Sequence, residues 1–188
     1  MRSPVAIVPA AGASSRFGSM KLLADIAGEP LLQHTLRHLL DAGIDRVIVV
    51  VAAGHQLGAV SLVGDPRVVT VVNADPSRGM FSSIQAGLAV AEGDPIVILP
   101  ADMPFATAAT VVDVTAAARR LDAAVVPFHA GRRGHPIAIP GRMRAALVAA
   151  GPASDLKAAL RAASGAPPVE WPVDDPGVLR DVDVPGDL

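Results

Sequence analysis

Five short apolar runs recur along the chain, and most of their residues are β-branched. They are Val5–Val8, Val47–Val51, Val68–Val72, Ile96–Leu99 and Ala123–Val126. Strands that are apolar throughout, rather than alternating with polar residues, are typical of a mainly parallel sheet that is buried on both faces. The pattern therefore predicts five strands of one buried sheet.

Segments with helical spacing of apolar residues lie between and after these runs. In Leu31–Leu40 the apolar positions are 31, 32, 36, 39 and 40, with Pro30 before them and Gly43 after them. Four more helices are predicted at Ser82–Ala91, Ala108–Leu121, Met143–Ala149 and Asp155–Ala163. Alternating strands and helices predict an α/β fold, in which ligands bind beyond the carboxyl ends of the strands.

Composition narrows the class of protein. The 188 residues suit a single domain, 1–188, and the net charge of −2 gives no basic surface for nucleic acid. The absence of cysteine excludes disulfides, thiolate metal sites and a cysteine nucleophile. The longest apolar run, Val47–Ala53, is too short to span a bilayer, and Pro9 and Gly12 interrupt the apolar start of the chain. We expect a cytoplasmic protein without a membrane or nucleic-acid partner.

The loop after the first strand combines small residues with two cations. It reads Pro9-Ala10-Ala11-Gly12-Ala13-Ser14-Ser15-Arg16-Phe17-Gly18-Ser19-Met20-Lys21. Small residues let the backbone approach a bulky anion, and Arg16 and Lys21 can neutralise phosphate oxygens. The spacing matches neither the dinucleotide fingerprint nor the P-loop. A nucleotide triphosphate site is one interpretation, and a simple turn of small residues is the other.

A carboxylate follows the fourth strand, in Leu99-Pro100-Ala101-Asp102-Met103-Pro104. At that place Asp102 could hold Mg²⁺ on triphosphate oxygens, or it could stabilise a turn or cap the helix near Ala106. After the third strand, the segment from Asn73 to Ser83 contains Gly79 and Ser82. The start of that helix could receive a phosphate or a base edge, or Ser82 could simply cap it.

Two later segments also carry polar side chains. The loop Phe128–Pro136 contains Arg133 and His135 and is either a clasp for an anionic second substrate or a solvated hairpin tip. The acidic end of the chain includes Asp183, which is either a second carboxylate for a metal or part of a solvated tail. His34 and His38 have metalloprotease spacing without the glutamate that such a site needs, so we expect them to be surface or partly packed side chains.

Taken together, these motifs resemble the MobA-like nucleotidyltransferase superfamily, and most of all its molybdenum cofactor cytidylyltransferase branch. The resemblance runs from Val5 to Leu188. Guanylyl-transferring relatives typically have Gly where this chain has Ala11, so the resemblance suggests CTP. Two departures stand out: Asp155 remains from the family's Gly-Asp-x-Gly-Ala-Arg stretch without its glycines and arginine, and Val184 replaces a threonine.

The resemblance implies a single-domain, three-layer α/β/α Rossmann-like fold of the nucleotide-diphospho-sugar transferase kind. It implies a Mg²⁺-dependent transfer of CMP from CTP to the phosphate of molybdopterin, with release of pyrophosphate. Such chemistry depends on positioning and charge stabilisation, since the attacking phosphate is already ionised. A molybdoenzyme or its chaperone is a candidate partner. The implied site residues are Arg16, Lys21 and Asp102 (catalytic); Ala10, Ala11, Gly12, Ala13, Ser14, Asn73, Gly79 and Ser82 (nucleotide); Arg133 and His135 (acceptor); Asp102 and Asp183 (Mg²⁺).

Three alternatives remain open on the sequence. The first keeps the chemistry and changes the acceptor to methylerythritol phosphate or to a sugar or alditol phosphate. The second is an NAD(P)H-dependent oxidoreductase of the nicotine blue type, a class that the missing dinucleotide fingerprint does not support. The third is a nucleotide-binding or cofactor-insertion protein without catalysis.

Overall fold

The computed structural model describes residues 2–11, 18–54, 57 and 60–182, and of residues 18–20 the backbone alone. Ten strands lie in these ranges. They are β1 Val5–Pro9, β2 Asp25–Ile26, β3 Glu29–Pro30, β4 Arg46–Ala52, β5 Val68–Asn73, β6 Ile96–Ile98, β7 Val125–His129, β8 Arg132–Arg133, β9 Ile137–Ile139 and β10 Val169–Pro172.

One sheet contains eight of these strands and is mostly parallel. Its order is β10-β7-β9-β6-β1-β4-β5, with β8 paired to β7, while β2 and β3 form a separate hairpin. Strands β6, β1, β4 and β5 are parallel, and β10 is parallel to β7. Strand β9 runs antiparallel between β6 and β7. Its first residue therefore lies at the edge where the parallel strands end.

Five α-helices connect the strands in the described part of the chain. They are α1 Leu31–Asp41, α2 Met80–Val90, α3 Ala108–Leu121, α4 Arg144–Val148 and α5 Leu156–Ser164. The side chains of Thr107 and Asp155 cap α3 and α5 at their first turns. Asp155, the residue that the resemblance matches to a family motif, thus caps the start of α5.

The helices cover both faces of the sheet and bury two apolar clusters. Ala6 and Val8 of β1 pack in a cluster with buried residues of α1 and α3. Val5 and Ile7 pack in a second cluster with residues of α2, α4 and α5. Because alternate residues of a strand face opposite sides, a central strand such as β1 must be apolar at every position to serve both clusters. This confirms the predicted three-layer α/β fold.

The predicted boundaries need several corrections. Helix α2 begins at Met80 rather than Ser82, because Gly79 with φ +85° takes the position before the first turn. The helix predicted from Met143 begins with a 3₁₀ turn, Gly141–Met143, before α4. Strands β9 and β10 have three and four residues, and the periodicity of such short runs predicts no strand.

No helix in the described part of the chain is long and apolar enough to cross a membrane. The cytoplasmic location stays a prediction.

Candidate active site

The candidate site lies at the edge of the sheet where the parallel strands end. Strands β6, β1, β4 and β5 are neighbours in that order, so their last residues follow one another along the edge. Adjacent strands lie about 4.8 Å apart, which places the ends of β6 and β5 about 14 Å from each other. The predicted site residues at the ends of β6, β1 and β5 thus line one continuous ledge.

An ion pair marks the β6 end of this ledge. Lys21 Nζ lies 3.0 Å from Asp102 Oδ2, across 81 residues of sequence. Lys21 is 8% exposed and lies in the last turn of the 3₁₀ segment Gly18–Leu23, whereas the Asp102 side chain remains about a third exposed, at 32%. Asp102 does not cap α3, because Thr107 does so. The structure thus brings two of the predicted catalytic residues together and leaves the carboxylate open to solvent.

The first strand supplies the neighbouring backbone. The Ala101 N–H donates to Pro9 O at 3.3 Å, and the Ala10 N–H donates to Val50 O at 2.7 Å. Ala10 and Ala11 are both buried. Because the Ala101 N–H is paired with Pro9 O, the residues that follow Pro9 lie beside the Asp102 loop. Gly12, Ala13, Ser14, Arg16 and Asp183 lie outside the described residues, and their roles stay predictions.

A buried polar network holds the β5 end of the ledge. The Asn73 side-chain NH₂ donates to Ser82 Oγ at 2.8 Å and to Ser83 Oγ at 3.0 Å. Asn73 Oδ1 accepts from the Asp75 N–H, and the Ser82 hydroxyl donates to Gly79 O at 2.8 Å. Asn73 and Ser82 are 6% and 5% exposed. Their side chains are therefore engaged inside the protein, where they fix the turn that contains Gly79.

The hairpin of β7 and β8 carries the two predicted acceptor residues. Arg133 is exposed, and its Nε lies 2.7 Å from Glu170 Oε1 on the edge strand β10. This contact agrees with the interpretation as a solvated hairpin tip. A role of Arg133 in binding the acceptor stays a prediction.

His135 follows the hairpin along the chain, and the negative charge of Asp102 acts on its imidazole. His135 is partly buried, and its backbone N–H donates to Val178 O at 2.9 Å. Burial lowers the pKa of the imidazole from 6.5 to about 4, although the Asp102 carboxylate acts in the opposite direction. His135 is therefore neutral near pH 7 and can contact an acceptor as a hydrogen-bonding group rather than as a cation.

Two polar residues at this edge were missed at the level of sequence. Thr35 on α1 is fully buried, and its hydroxyl donates to Ala101 O at 3.0 Å. Asp175 accepts hydrogen bonds from the backbone of Thr107 and Gly177 and from the hydroxyls of Thr107 and Thr110. Those bonds lower the pKa of Asp175 and outweigh burial, which is the largest single effect and raises it. A polar residue inside an apolar helical stripe, as at Thr35, was the available signal.

Of the two residues predicted to hold Mg²⁺, only Asp102 lies within the described residues. Among those residues, no group of three or more histidine, aspartate or glutamate side chains could hold a metal ion. Mg²⁺ is commonly held by one or two carboxylates together with substrate phosphates and water. The partly exposed carboxylate of Asp102 fits that mode of binding.

His34 and His38 are partly buried, as expected. His34 Nε2 lies 2.8 Å from Ile26 O, and burial lowers the pKa of His38. Neither belongs to a metal cluster within the described residues.

Comparison with known proteins shows which family this chain belongs to. A model described as the MobA-like NTP transferase domain matches residues 6–167. The chain belongs to this family. A probable molybdenum cofactor guanylyltransferase of Pyrococcus horikoshii is 33% identical over 100 residues, covering 53% of this chain and 48% of that protein. A 2-C-methyl-D-erythritol 4-phosphate cytidylyltransferase of Nocardia farcinica is 41% identical over 92 residues, covering 47% of this chain and 39% of that protein. The MobA-like chain thus spans half or less of the length of these relatives.

Solved structures show the same fold. A nucleotidyl transferase of Methanothermobacter superposes with a TM-score of 0.76 at 24% identity, covering 98% of this chain and 94% of the other. A 4-diphosphocytidyl-2C-methyl-D-erythritol synthase of Anaerococcus prevotii has a TM-score of 0.75 at 15% identity, covering 99% and 94%. The MobA-like domain therefore has the fold of nucleotidyltransferases.

Proposed function

We propose that this MobA-like protein is a nucleotidyltransferase that moves a nucleoside monophosphate from a triphosphate to a phosphorylated acceptor. In the proposed reaction an acceptor phosphate oxygen forms a bond to the α-phosphorus. The bond between that phosphorus and the bridging oxygen to the β-phosphate breaks, and pyrophosphate leaves. The Lys21–Asp102 pair at the carboxyl edge of the sheet is the observation that supports this proposal most strongly.

The charges at the pair suit such a transfer. A triphosphate gains negative charge on its leaving group as the bond breaks, and a fixed cation stabilises that charge. Lys21 is a buried ammonium held 3.0 Å from Asp102, so it is already positioned before a nucleotide arrives. The acceptor phosphate needs no strong base, because it is ionised near neutral pH.

Asp102 would hold Mg²⁺, which when bound neutralises charge on the triphosphate. The described backbone at Ala10 and Ala11 would lie along the nucleotide. The turn that contains Gly79 would face its base and ribose, about three strand spacings away along the ledge. Asn73 and Ser82 act in this proposal by fixing that turn.

CTP as the donor and a molybdopterin-type acceptor complete the proposal. Ala11 supports CTP by its resemblance to cytidylyl-transferring proteins, and the relatives include a probable molybdenum cofactor guanylyltransferase and several cytidylyltransferases. The neutral His135 near Asp102 supplies a hydrogen-bonding contact for an uncharged part of the acceptor.

The test is pyrophosphate release by the purified protein with Mg²⁺, each of the four nucleoside triphosphates and each candidate acceptor. Release that requires both CTP and molybdopterin, with the cytidylylated product seen by mass spectrometry, is the expected result. Release with GTP alone would contradict the choice of nucleotide. No release with any pair, together with NAD(P)H oxidation by a dye, would contradict the transferase.

Methylerythritol phosphate is the second candidate acceptor. The observation that favours it is the 41% identity to the cytidylyltransferase of Nocardia farcinica, over 92 residues. The same assay decides between the two acceptors, since the nucleotide and the readout are shared. Release with methylerythritol phosphate and none with molybdopterin would replace the first acceptor with the second.

A further inference from the structure

The backbone of the Asp102 loop is held at several points. The Leu99 N–H donates to Ile7 O at 3.1 Å and the Ala101 N–H donates to Pro9 O, so parallel pairing with β1 continues past the last residue of β6. On the far side, Asp102 O accepts from the Val182 N–H at 2.9 Å. The loop is thus a fixed extension of the sheet rather than a free connection.

One of these contacts comes from a side chain in a different layer. Thr35 is fully buried on α1, and its Oγ1 lies 3.0 Å from Ala101 O, 66 residues away along the chain. A threonine hydroxyl inside a helix usually bonds a carbonyl of its own preceding turn. The Thr35 hydroxyl instead reaches the carbonyl group that is bonded directly to the Asp102 nitrogen.

That contact matters because it fixes the peptide unit between Ala101 and Asp102. The peptide is planar, so the orientation of the Ala101 carbonyl also sets the direction in which the Asp102 residue leaves the sheet. The carboxylate in turn meets Lys21 at 3.0 Å. A small rotation of this peptide would move the carboxylate relative to Lys21.

We propose that Thr35 is a positioning residue that orients Asp102 toward Lys21 through its hydrogen bond to the Ala101 carbonyl. This inference rests on the proposed function, in which Asp102 and Lys21 act on the nucleotide. Thr35 itself touches neither the metal nor the nucleotide in this proposal.

The test uses three variants of the full chain. Thr35→Val keeps the shape of the side chain and removes the hydroxyl, while Thr35→Ser keeps the hydroxyl. Thr115→Val is the matched control, since the Thr115 hydroxyl donates to Val111 O of its own helix α3 rather than to the Asp102 loop. Pyrophosphate release is measured at varied Mg²⁺ and CTP, and amide hydrogen exchange of Ala101 and Met103 is followed by NMR.

For Thr35→Val we expect a loss of kcat of about 10- to 100-fold, the order that a displacement of about 1 Å can cause. We also expect a higher Mg²⁺ requirement and faster exchange at Ala101 and Met103. Thr35→Ser should restore kcat and exchange to near the wild-type values, and Thr115→Val should change neither.

The outcomes separate the two proposals. An active wild-type protein whose kcat, Mg²⁺ requirement and exchange are unchanged by Thr35→Val would overturn the positioning role. A fall in thermal stability alone, equal in Thr35→Val and Thr115→Val, would also overturn it. If the wild-type protein releases no pyrophosphate, the transferase proposal fails, and the exchange at Ala101 and Met103 still decides whether Thr35 holds the loop.

Discussion

At the scale of single residues, the pairing of Lys21 with Asp102 is the most informative contact. A buried ammonium group needs an oppositely charged partner. The Asp102 carboxylate, which is only partly exposed, provides one at 3.0 Å from Lys21 Nζ. The side chain of Asp102 keeps access to solvent, so a cation and phosphate oxygens can reach it. The Asp102 carboxylate is thus held in place by Lys21 without being closed off from solvent.

Lys21→Ala and Asp102→Ala should each lower the rate of nucleotidyl transfer by about 10² to 10³, the usual cost of one lost transition-state contact. The measurement is kcat from pyrophosphate release, with circular dichroism to check the fold. Lys157→Ala is the matched control, because Lys157 is the chain's other lysine and is exposed on α5. Near-normal turnover in either site variant would remove these residues from the mechanism.

His135 should make the stability of the protein depend on pH. Its pKa is about 4 in the folded protein and 6.5 in an unfolded chain, so the unfolded state binds more protons between these values. The free energy of unfolding is therefore highest above pH 6.5 and falls as the pH falls toward 4. The full shift corresponds to about 3 kcal/mol at about 1.4 kcal/mol per pKa unit.

The measurement is urea unfolding of the wild-type protein and of His135→Gln at pH 7.5, 6.0 and 5.0. We expect the wild-type protein to lose stability over this range and the variant to lose less of it. If the free energy of unfolding falls by the same amount with pH in both proteins, His135 is not the cause of the pH dependence.

At the scale of elements, the start of α2 depends on Asn73 more than on a cap. Gly79 precedes the helix with φ +85° and offers no side chain, so the Asn73 amide and the Ser82 hydroxyl hold the turn. Glycine tolerates this φ without the strain that a side chain would add. The turn is thus fixed from the end of β5 rather than from within the helix.

Asn73→Ala should therefore weaken nucleotide binding more than it slows the chemical step. Loss of the buried amide should lower the free energy of unfolding by about 1–3 kcal/mol. The expected kinetic result is a raised KM for CTP with a smaller change in kcat. Ser77→Ala, in the exposed part of the same segment, is the control. A lowered kcat at unchanged KM would contradict this role.

At the scale of the whole molecule, the segment 173–182 joins three parts of the site. It pairs with β7 at Phe128 O, contacts the start of α3 through Asp175, and reaches Asp102 O through the Val182 N–H. Gly134 packs directly on Val178 O, so a side chain at position 134 would collide with backbone. The hairpin and the Asp102 loop are therefore held to each other by this one segment.

Gly134→Ala should destabilise the protein by about 1–3 kcal/mol, the usual cost of overpacking. Because the collision is with a backbone carbonyl, the segment 173–182 must shift, and the effect should extend to the Asp102 loop as lower kcat. Gly151→Ala is the matched control, since a side chain there meets open space. Equal thermal stabilities of the two variants would contradict the proposed close packing.

The sequence by itself determined the layers of this protein and the edge where its chemistry lies. Buried strands must be apolar on both faces, and the residues after parallel strands share one edge, so Asp102 and Asn73 could be placed there without a structure. Only the tertiary structure decided the pairing of Lys21 with Asp102, the reversed β9 that brings His135 to the same edge, and the use of Asn73 as an internal support. Those contacts join residues far apart in sequence, and local patterns of hydrophobicity carry no information about which distant side chains meet.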